Sequence, residues 1–212
     1  NASRRGFMTR LYRLGRRGEA ADETRARVVA AAQALLSASE GAPAFTVDAV
    51  ARAAGVSRMT VFNKFRSKQG LLEALFDSLA ASGGMRGMRE AFERDDPLDM
   101  LDAFTTVLAR FWAAHRLVHR RLRALVATDP ELEPAWRQRH QRRHEGAAVI
   151  LARLAARYGR PADVEREEAM RLFLALTSFE FYDQIAGDGA DPGAVEVALR
   201  RLVRCALRCD AP

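Results

Sequence analysis

Residues 46–72 read TVDAVARAAGVSRMTVFNKFRSKQGLL, and this stretch decides the fold of the N-terminal part of the chain. Thr46 and Ser57 each stand directly before a short run of residues with apolar side chains at helical spacing, which is the position of an N-cap. Gly55 lies between the two runs, where a helix commonly ends on a left-handed residue. The stretch therefore predicts two short helices joined by a tight turn, a helix-turn-helix.

The second of these helices, about 57–64, is predicted to have an apolar inner side and a polar outer side. Val61 and Phe65 form the inner side, and six residues face outward or flank it: Arg58, Met59, Thr60, Phe62, Asn63 and Lys64. A helix of this kind fits the major groove of DNA, while nearby cations favour phosphate oxygens. Capped helix pairs with a glycine turn also occur as plain scaffold, so both interpretations stay open on geometry alone.

Positive charge is concentrated around this stretch. Residues 1–70 hold 13 Lys and Arg against 5 Asp and Glu, whereas residues 71–212 hold 21 against 22. The whole net charge of +7 therefore comes from the first third of the chain. Such an asymmetry is typical of a module that meets a polyanion, although a solvated basic surface would also account for it.

The rest of the chain is predicted to be helical. A basic arm without a periodic apolar face occupies residues 1–21, a first helix covers about 23–39, and a fourth helix follows Ser67 over about 68–81. Breaks at Pro, Gly and Asp residues separate further helices over 85–93, 97–113, 115–127, 131–158, 162–186 and 192–208. No segment shows strand-like alternation, so we expect an all-α protein.

The stretch 46–72 resembles the DNA-binding signature of the TetR/AcrR family of transcriptional regulators. The Ala-Gly-Val-Ser turn at 54–57, Thr60, Phe65 and the Ser-Lys pair at 67–68 all match, and the resemblance extends over about 24–80. It implies a three-helix helix-turn-helix domain over 22–68, after the flexible arm 1–21, and a helical ligand-binding and dimerisation domain over 69–212. It also implies a homodimer on double-stranded operator DNA and a small-molecule inducer of unknown identity.

The resemblance assigns roles to residues of the helix-turn-helix. Thr46 and Lys68 would contact phosphates, and Arg58, Met59, Thr60 and Asn63 would face the groove. The full predicted DNA-binding set is Thr46, Ser57, Arg58, Met59, Thr60, Phe62, Asn63, Lys64 and Lys68. The family usually has Tyr at the position of Phe62, and that hydroxyl commonly reaches a phosphate, so one positioning contact is in doubt.

Helix 162–186 is apolar on most sides and must be covered on more than one of them. It is either a central core helix or a helix with one face on the core and one on a partner, and the resemblance favours the latter. We assign Leu172, Leu176 and Phe179 to the core. With helix 192–208, the predicted dimer interface comprises Met170, Leu174, Phe181, Ile185, Val195, Leu199 and Leu202.

All four histidines form i,i+4 pairs, His115 with His119 and His140 with His144. They are interpreted as partly buried residues satisfied by neighbours, as polar groups of a ligand pocket, or as metal ligands. Nearby arginines would repel a cation, so no metal site is predicted. The predicted pocket comprises Phe104, Leu108, Phe111, Trp112, His115, His119, Trp136, His140, Phe173 and Thr177.

Several functional classes are not expected. The chain has no phosphate-binding glycine loop, dinucleotide fingerprint or nucleophile elbow, so we predict no enzyme and no cofactor. No apolar run predicts a signal peptide or a membrane span, and two cysteines do not make a disulfide framework, so a cytoplasmic protein is expected. The sequence predicts a ligand-responsive repressor; the alternative is an architectural DNA-binding protein without a small-molecule inducer.

Overall fold

A computed structural model describes the backbone of residues 2–38, 45–159 and 165–209, and the side chains of these ranges from residue 20 onward. The chain divides into two compact units, residues 1–75 and residues 76–212. The boundary between the units lies seven residues beyond the predicted domain boundary at residue 68, within a continuous helix. Throughout the described ranges the regular structure is helical and contains no strand, which confirms the all-α prediction.

The first unit contains α1 (Ala2–Ser37), α2 (Val47–Ala53), α3 (Arg58–Phe65) and the beginning of α4 (Lys68–Ser82). The predicted start of the first helix near residue 23 is wrong, because α1 begins at Ala2. Residues 2–37 contain no proline, so no residue in this span forces the helix to begin later. The side chains of residues 1–19, on which the predicted basic arm depends, lie outside the described part.

Side-chain caps fix the ends of the two short helices. The Thr46 hydroxyl oxygen accepts a hydrogen bond from the Ala49 amide at 3.1 Å, and the Ser57 oxygen accepts one from the Thr60 amide at 3.1 Å. Gly55 adopts a φ of +65° in the turn, a conformation that an L side chain would strain. The helix-turn-helix predicted from the sequence is therefore confirmed, with the predicted caps.

The core of this unit consists of residues that the helical periodicity of the sequence predicts to be buried. Val50, Val61 and Phe65 are buried, as are Val28 and Ala32 of α1. The Arg25 guanidinium lies over the Phe65 ring, 4.7 Å from its centroid, and donates to the Lys64 carbonyl oxygen at 3.3 Å. These contacts hold α1 against the C-terminal end of α3, so α3 presents its opposite side to solvent.

The second unit begins within α4 and continues through seven further α-helices in the ranges that the structure describes. These are α5 (Gly87–Phe92), α6 (Pro97–Ala114), α7 (Arg116–Thr128), α8 (Glu133–Tyr158), α9 (Arg166–Leu176), α10 (Phe179–Ala186) and α11 (Pro192–Ala206). A short 3-10 helix, Pro130–Leu132, precedes α8. Apart from the long helix discussed next, these bounds follow the predicted ones to within two residues.

The helix predicted over 162–186 is broken into α9 and α10 at Thr177 and Ser178. The Ser178 oxygen accepts the Phe181 amide hydrogen and caps a new helix, which competes with continuation of the old one. The break changes the phase of the apolar stripes. Leu172, which we assigned to the core, is 38% exposed, whereas Phe179 is buried as predicted.

Two apolar clusters stabilise the second unit. One centres on Met100, Phe104, Ile150, Leu154 and Phe173, and thus joins α6, α8 and α9. The other joins α6, α10 and α11. Its buried members are Ala109, Tyr182, Ala186, Val195 and Leu199.

Candidate functional site

The solvent side of α3 combines apolar and polar side chains. Met59 is 64% exposed and Phe62 is 55% exposed, although both are large apolar residues. Arg58 and Asn63 are also exposed, and Thr60 and Lys64 are half-buried. Bulky apolar side chains that stay exposed beside cations do not stabilise an isolated unit. A helix face of this composition is, however, suited to contact base edges and thymine methyl groups.

Arg58 has one partner on the first unit's own surface. Its Nη1 lies 3.1 Å from Asp48 Oδ2, and both side chains are mostly exposed. An exposed ion pair of this kind contributes little to stability and can exchange its partner. The cap residues Thr46 and Ser57 are also exposed, and each hydroxyl that accepts an amide hydrogen keeps its own hydrogen to donate. The predicted DNA-binding residues of α3 and its caps thus lie on the surface of the unit.

A cavity of about 380 Å³ lies within the second unit. Its walls are mainly aromatic and come from α4 to α8 and α10. The lining residues that carry the argument below are Phe111, Trp112, His119, Trp136, His140 and Arg143. This volume falls within the range of roughly 300–1,000 Å³ that is usual for small-molecule pockets.

Gly146 of α8 allows the cavity wall to close. A methyl group at this position would lie 3.1 Å from Phe104 Cε2 and 3.2 Å from Phe92 Cζ. The two rings pack edge to face, with their centroids 6.0 Å apart. The glycine therefore leaves the space that the rings occupy beside α8.

His119 is the most unusual of the lining residues. It is 2% exposed, and neither ring nitrogen has a hydrogen-bond partner among the residues that the structure describes. Aromatic rings surround it, with centroids of Phe111, Trp112 and Phe179 at 5.0, 4.7 and 5.2 Å. Burial, with a smaller contribution from the nearby His115, lowers the pKa of His119 to about 3. The imidazole is therefore neutral at physiological pH, with one donor and one acceptor unused.

A second polar feature, around the Thr177 carbonyl oxygen, lies beside the indole of Trp112. The carbonyl oxygen of Thr177, freed by the break between α9 and α10, accepts from Trp112 Nε1 at 3.2 Å and from Arg143 Nη1 at 3.0 Å. The Nε of Arg143 is buried without a partner in the described ranges. Burial also lowers the pKa of the Arg143 guanidinium, because a charge in this position is poorly solvated.

Seven of the ten predicted pocket residues line the cavity, and three do not. The seven are Phe104, Leu108, Phe111, Trp112, His119, Trp136 and His140. The other three do not line this cavity. His115 instead meets the Ser82 hydroxyl, with its Nε2 at 3.3 Å. Phe173 packs in the core against Phe104, and the Thr177 hydroxyl donates to the Phe173 carbonyl oxygen at 2.7 Å.

The prediction of histidines satisfied by neighbours holds for some of the residues. His115 has Ser82, and His140 Nδ1 lies 3.4 Å from an Arg143 nitrogen. His144 is exposed, so it needs no protein partner. Only His119 of the four lacks both a partner and solvent. No group of three or more metal-ligating side chains occurs within the described residues.

The residues predicted for a dimer interface divide into two groups. Val195 and Leu199 are buried in the second unit's own cluster, so assigning them to a partner surface was wrong. The reason is that α11 packs on α6 with this face. Leu202 is 37% exposed. The remaining residues of the predicted interface are half-buried and pack against the two clusters: Met170, Leu174, Phe181 and Ile185.

The sequence did not single out several residues that line the cavity. The arginines near the histidines, Arg139 and Arg143 among them, suit either an anionic ligand or, as the sequence favours, a solvated face, and both of these residues line the cavity. Phe179 was assigned to the core and is buried, but it also lines the cavity. Its position depends on the cap at Ser178, and the sequence signal for that cap is the Thr-Ser pair within an apolar run.

Comparison with known proteins agrees with this architecture. Residues 28–75 match the family described as bacterial regulatory proteins, tetR family. A relative from Pseudomonas putida, named probable HTH-type transcriptional regulator ArpR, is 27% identical over 180 residues, which is 80% of this chain and 81% of the relative.

Solved structures share the fold. A transcriptional regulator from Rhodococcus sp. Rha1 superimposes with a TM-score of 0.64 at 23% identity, covering 89% of this chain and 99% of that one. A regulator of the TetR/AcrR family from Thermobifida fusca gives a TM-score of 0.61 at 20% identity, covering 85% and 96%.

The fold, a helix-turn-helix unit followed by a helical C-terminal unit, is shared with solved transcriptional regulators. Residues 28–75 thus match the tetR family of bacterial regulatory proteins, and the chain is similar over most of its length to an HTH-type transcriptional regulator. No described helix is both long and apolar enough to cross a membrane.

Proposed function

We propose that this chain is a ligand-responsive repressor: a homodimer that binds operator DNA through α3 and releases it when a small molecule occupies the cavity of the second unit. The observation that carries the ligand response is His119, a buried imidazole that has no hydrogen-bond partner in the described ranges and whose ring lines a cavity of about 380 Å³. An unsatisfied buried polar group destabilises the empty state, and a ligand that completes its hydrogen bonds removes that penalty.

The DNA contact is assigned to the exposed side of α3 and to the residues that cap its neighbours. Arg58, Met59, Thr60 and Asn63 would face the major groove, whereas Thr46, Lys64 and Lys68 would position the backbone. Ser57 would act through the α3 N-terminus that it caps, and Phe62 would lie beside a backbone phosphate to which its ring cannot donate a hydrogen bond. Two copies of α3 would then enter successive major grooves, roughly 34–36 Å apart or at a related spacing.

The dimer contact is assigned to α9 and α11, which expose large apolar side chains. Leu172 of α9 and Val197 and Leu202 of α11 are 38%, 56% and 37% exposed. On α11, the exposed residues Ala194, Val197, Arg201 and Cys205 recur at spacings of three and four, so they share one face. Single exposed apolar residues are ordinary, but such a stripe beside Leu172 fits a partner helix.

Helix α4 supplies a covalent route from the cavity to the DNA-binding unit. Phe76 and Ala80 of α4 line the cavity, and the same helix begins at Lys68, a predicted phosphate contact. A ligand that displaces Phe76 or Ala80 would therefore act on the helix that leads to Lys68. Coupling requires that the ligand bind the DNA-free state more tightly than the DNA-bound state.

The alternative, an architectural DNA-binding protein without an inducer, predicts a filled second unit. The cavity and the unsatisfied His119 favour the ligand-responsive function over it.

The test begins with selection of operator DNA from random duplexes by the purified full chain. Fluorescence anisotropy then measures release of that operator in the presence of small molecules. We expect two chains per operator and release by at least one class of small molecule. As a control, Met88→Trp, which fills part of the cavity from α5, should leave operator binding intact and abolish release. Binding of one chain per operator at every concentration, or release unaffected by Met88→Trp, would contradict the proposal.

A further inference from the structure

The lining of the cavity also indicates what kind of molecule enters it. Resting on the proposed function, we propose that the ligand is an apolar, ring-containing carboxylic acid with a hydroxyl group: its carboxylate binds at Arg143 and its hydroxyl binds His119.

The charge of the ligand follows from the pairing of the arginines near the cavity. Asp183 forms ion pairs with both Arg116 and Arg120, and Asp77 pairs with Arg139. Glu180, the acidic residue in the cavity lining, pairs with Arg123 at 2.9 Å. Arg142 is exposed, so water can solvate its charge.

Arg143 differs from these arginines in that no carboxylate of the described ranges lies within ion-pairing distance, although Glu180 acts on it at longer range. It is partly buried, and its Nε has no hydrogen-bond partner in those ranges. A guanidinium remains charged at any physiological pH, and its planar donors match a carboxylate. The wall at Arg143 therefore favours an anion, and it disfavours a cation by repulsion.

The hydroxyl is required by His119. Its pKa of about 3 keeps the imidazole neutral, so the ring offers one N–H donor and one acceptor nitrogen. A carboxylate can only accept from the ring N–H and cannot donate to the bare nitrogen, whereas a hydroxyl can pair with either one, by accepting from the N–H or by donating to the bare nitrogen. Because three aromatic rings enclose the imidazole, a small neutral group fits there better than a second charge.

The two polar positions both lie beside one indole. The Trp112 ring centroid is 4.7 Å from that of His119, and Trp112 Nε1 shares the Thr177 carbonyl oxygen with Arg143 Nη1. Much of the remaining wall is apolar, including Phe104, Leu108 and Trp136. A molecule with polar groups at two ends of a rigid apolar body matches this arrangement.

The chain contains two tryptophans, Trp112 and Trp136, and both line the cavity. Intrinsic tryptophan fluorescence of the full chain therefore reports directly on occupancy. The probes are hydroxyphenylpropanoic, hydroxybiphenylcarboxylic and hydroxynaphthoic acids. Each is compared with its methyl ester, with the acid that lacks the hydroxyl, and with the corresponding amine.

On at least one ring scaffold, the hydroxy acid should bind roughly 10- to 100-fold more tightly than its ester, because a charge-assisted hydrogen bond is lost in the ester. The amine should bind more weakly still. Esters or amines that bind as tightly as the acids on every scaffold, or a complete absence of binding by the acids, would overturn the carboxylate assignment.

Variants locate the two contacts. Arg143→Gln should remove the preference for acid over ester, whereas Arg137→Gln, an exposed arginine of the same helix outside the cavity, should leave it unchanged. His119→Phe should remove the preference for the hydroxyl and retain the preference for the acid. If Arg143→Gln does not fold, the probe series on the unaltered chain still decides the charge. A hydroxyl preference that survives in His119→Phe contradicts the role of His119.

Failure of this inference is distinguishable from failure of the proposed function. If no acid binds but a different class of molecule still releases the operator through the cavity, the ligand assignment is wrong and the repressor function stands. If an acid binds as described but never changes operator affinity, the site is correct and the proposed gating is wrong.

Discussion

The outer face of α3 and the wall of the cavity use polar groups in opposite ways. On α3 the polar side chains are exposed or half-buried, and Arg58 forms a mostly exposed ion pair with Asp48. In the cavity they are buried, and His119 and the Nε of Arg143 have no partner within the described ranges. The polar groups of α3 lose little free energy without a partner, because water solvates them. The buried polar groups of the cavity wall lack hydrogen bonds until a ligand supplies them.

This difference suggests how each surface selects its partner. Exposed cations attract any polyanion, so specificity on α3 must come from the few side chains that reach base edges. Buried unsatisfied groups disfavour any ligand that does not complete their hydrogen bonds. The cavity is therefore selective because a ligand without matching polar groups leaves the free-energy cost of these groups in place. The variants described next probe the two surfaces in order of decreasing expected effect.

The largest effect is expected from separating the two copies of α3. Val197→Glu places a carboxylate in the proposed dimer contact on α11, where burial without a partner is strongly unfavourable. The variant should be folded and monomeric, with operator affinity reduced by about 100-fold or more, because the second half-site no longer gains from the first. Analytical ultracentrifugation and circular dichroism measure both properties. Val149→Glu, an equally exposed position on α8, is the control and should remain dimeric.

Arg58 and Lys68 should separate base recognition from phosphate contact. Arg58→Ala should weaken operator binding by roughly tenfold or more and relax base preference, because a bidentate contact to guanine is lost. Lys68→Ala should weaken all duplexes alike and lower the salt slope by about 1. Titrations of operator and random DNA at several salt concentrations distinguish them. Equal losses on both DNAs for Arg58→Ala would remove Arg58 from the groove.

The unsatisfied histidine predicts a dependence of stability on pH. The pKa of His119 falls from an ordinary 6.5 to about 3 on folding, so below pH 6.5 the unfolded chain binds the additional proton. The stability that neutral His119 retains above pH 6.5 is lost as the pH falls. Between pH 7.5 and 5.5 the unaltered chain should lose about 1.4 kcal/mol relative to His119→Phe. Urea unfolding at the two pH values measures this difference; parallel losses in both proteins would show that His119 is solvated.

The smallest effect is expected at Phe62. Phe62→Tyr adds a hydroxyl at an exposed position of α3, where the family usually has tyrosine. A new hydrogen bond to phosphate should tighten operator binding by roughly a few-fold, since part of its gain is offset by lost solvation of the hydroxyl. Anisotropy titration against the selected operator measures it. Unchanged or weaker binding would mean that the Phe62 ring itself packs on the DNA.

Local signals made the helix-turn-helix predictable from the sequence. Three residues act within a few positions of themselves, through a cap or a left-handed turn: Thr46, Gly55 and Ser57. Their roles can therefore be predicted without knowledge of the rest of the fold. The start of α1 was missed because the basic segment before residue 23 has no apolar periodicity, although its composition permits a helix.

The cavity was only partly predictable because its polar groups depend on long-range packing. Phe104 and Trp112 were found from a stripe along one helix. The role of Arg143 depends on a carbonyl oxygen 34 residues away, and that oxygen is available only because α9 ends at Leu176. Likewise, Val195 and Leu199 form a stripe whose partner could be either α6 or a second chain, and periodicity does not distinguish the two.

The central claim, that occupancy of the cavity and binding to operator DNA oppose each other, is tested most directly by measuring one coupling from both sides. Anisotropy gives the operator affinity with and without a saturating hydroxyaryl acid, and tryptophan fluorescence gives the affinity for that acid with and without saturating operator. Linkage requires both affinities to fall by the same factor, which is about 5- to 150-fold for typical allosteric proteins. The account predicts equal reductions that disappear in Met88→Trp. An acid that binds the cavity with the same affinity whether or not operator is bound would contradict it.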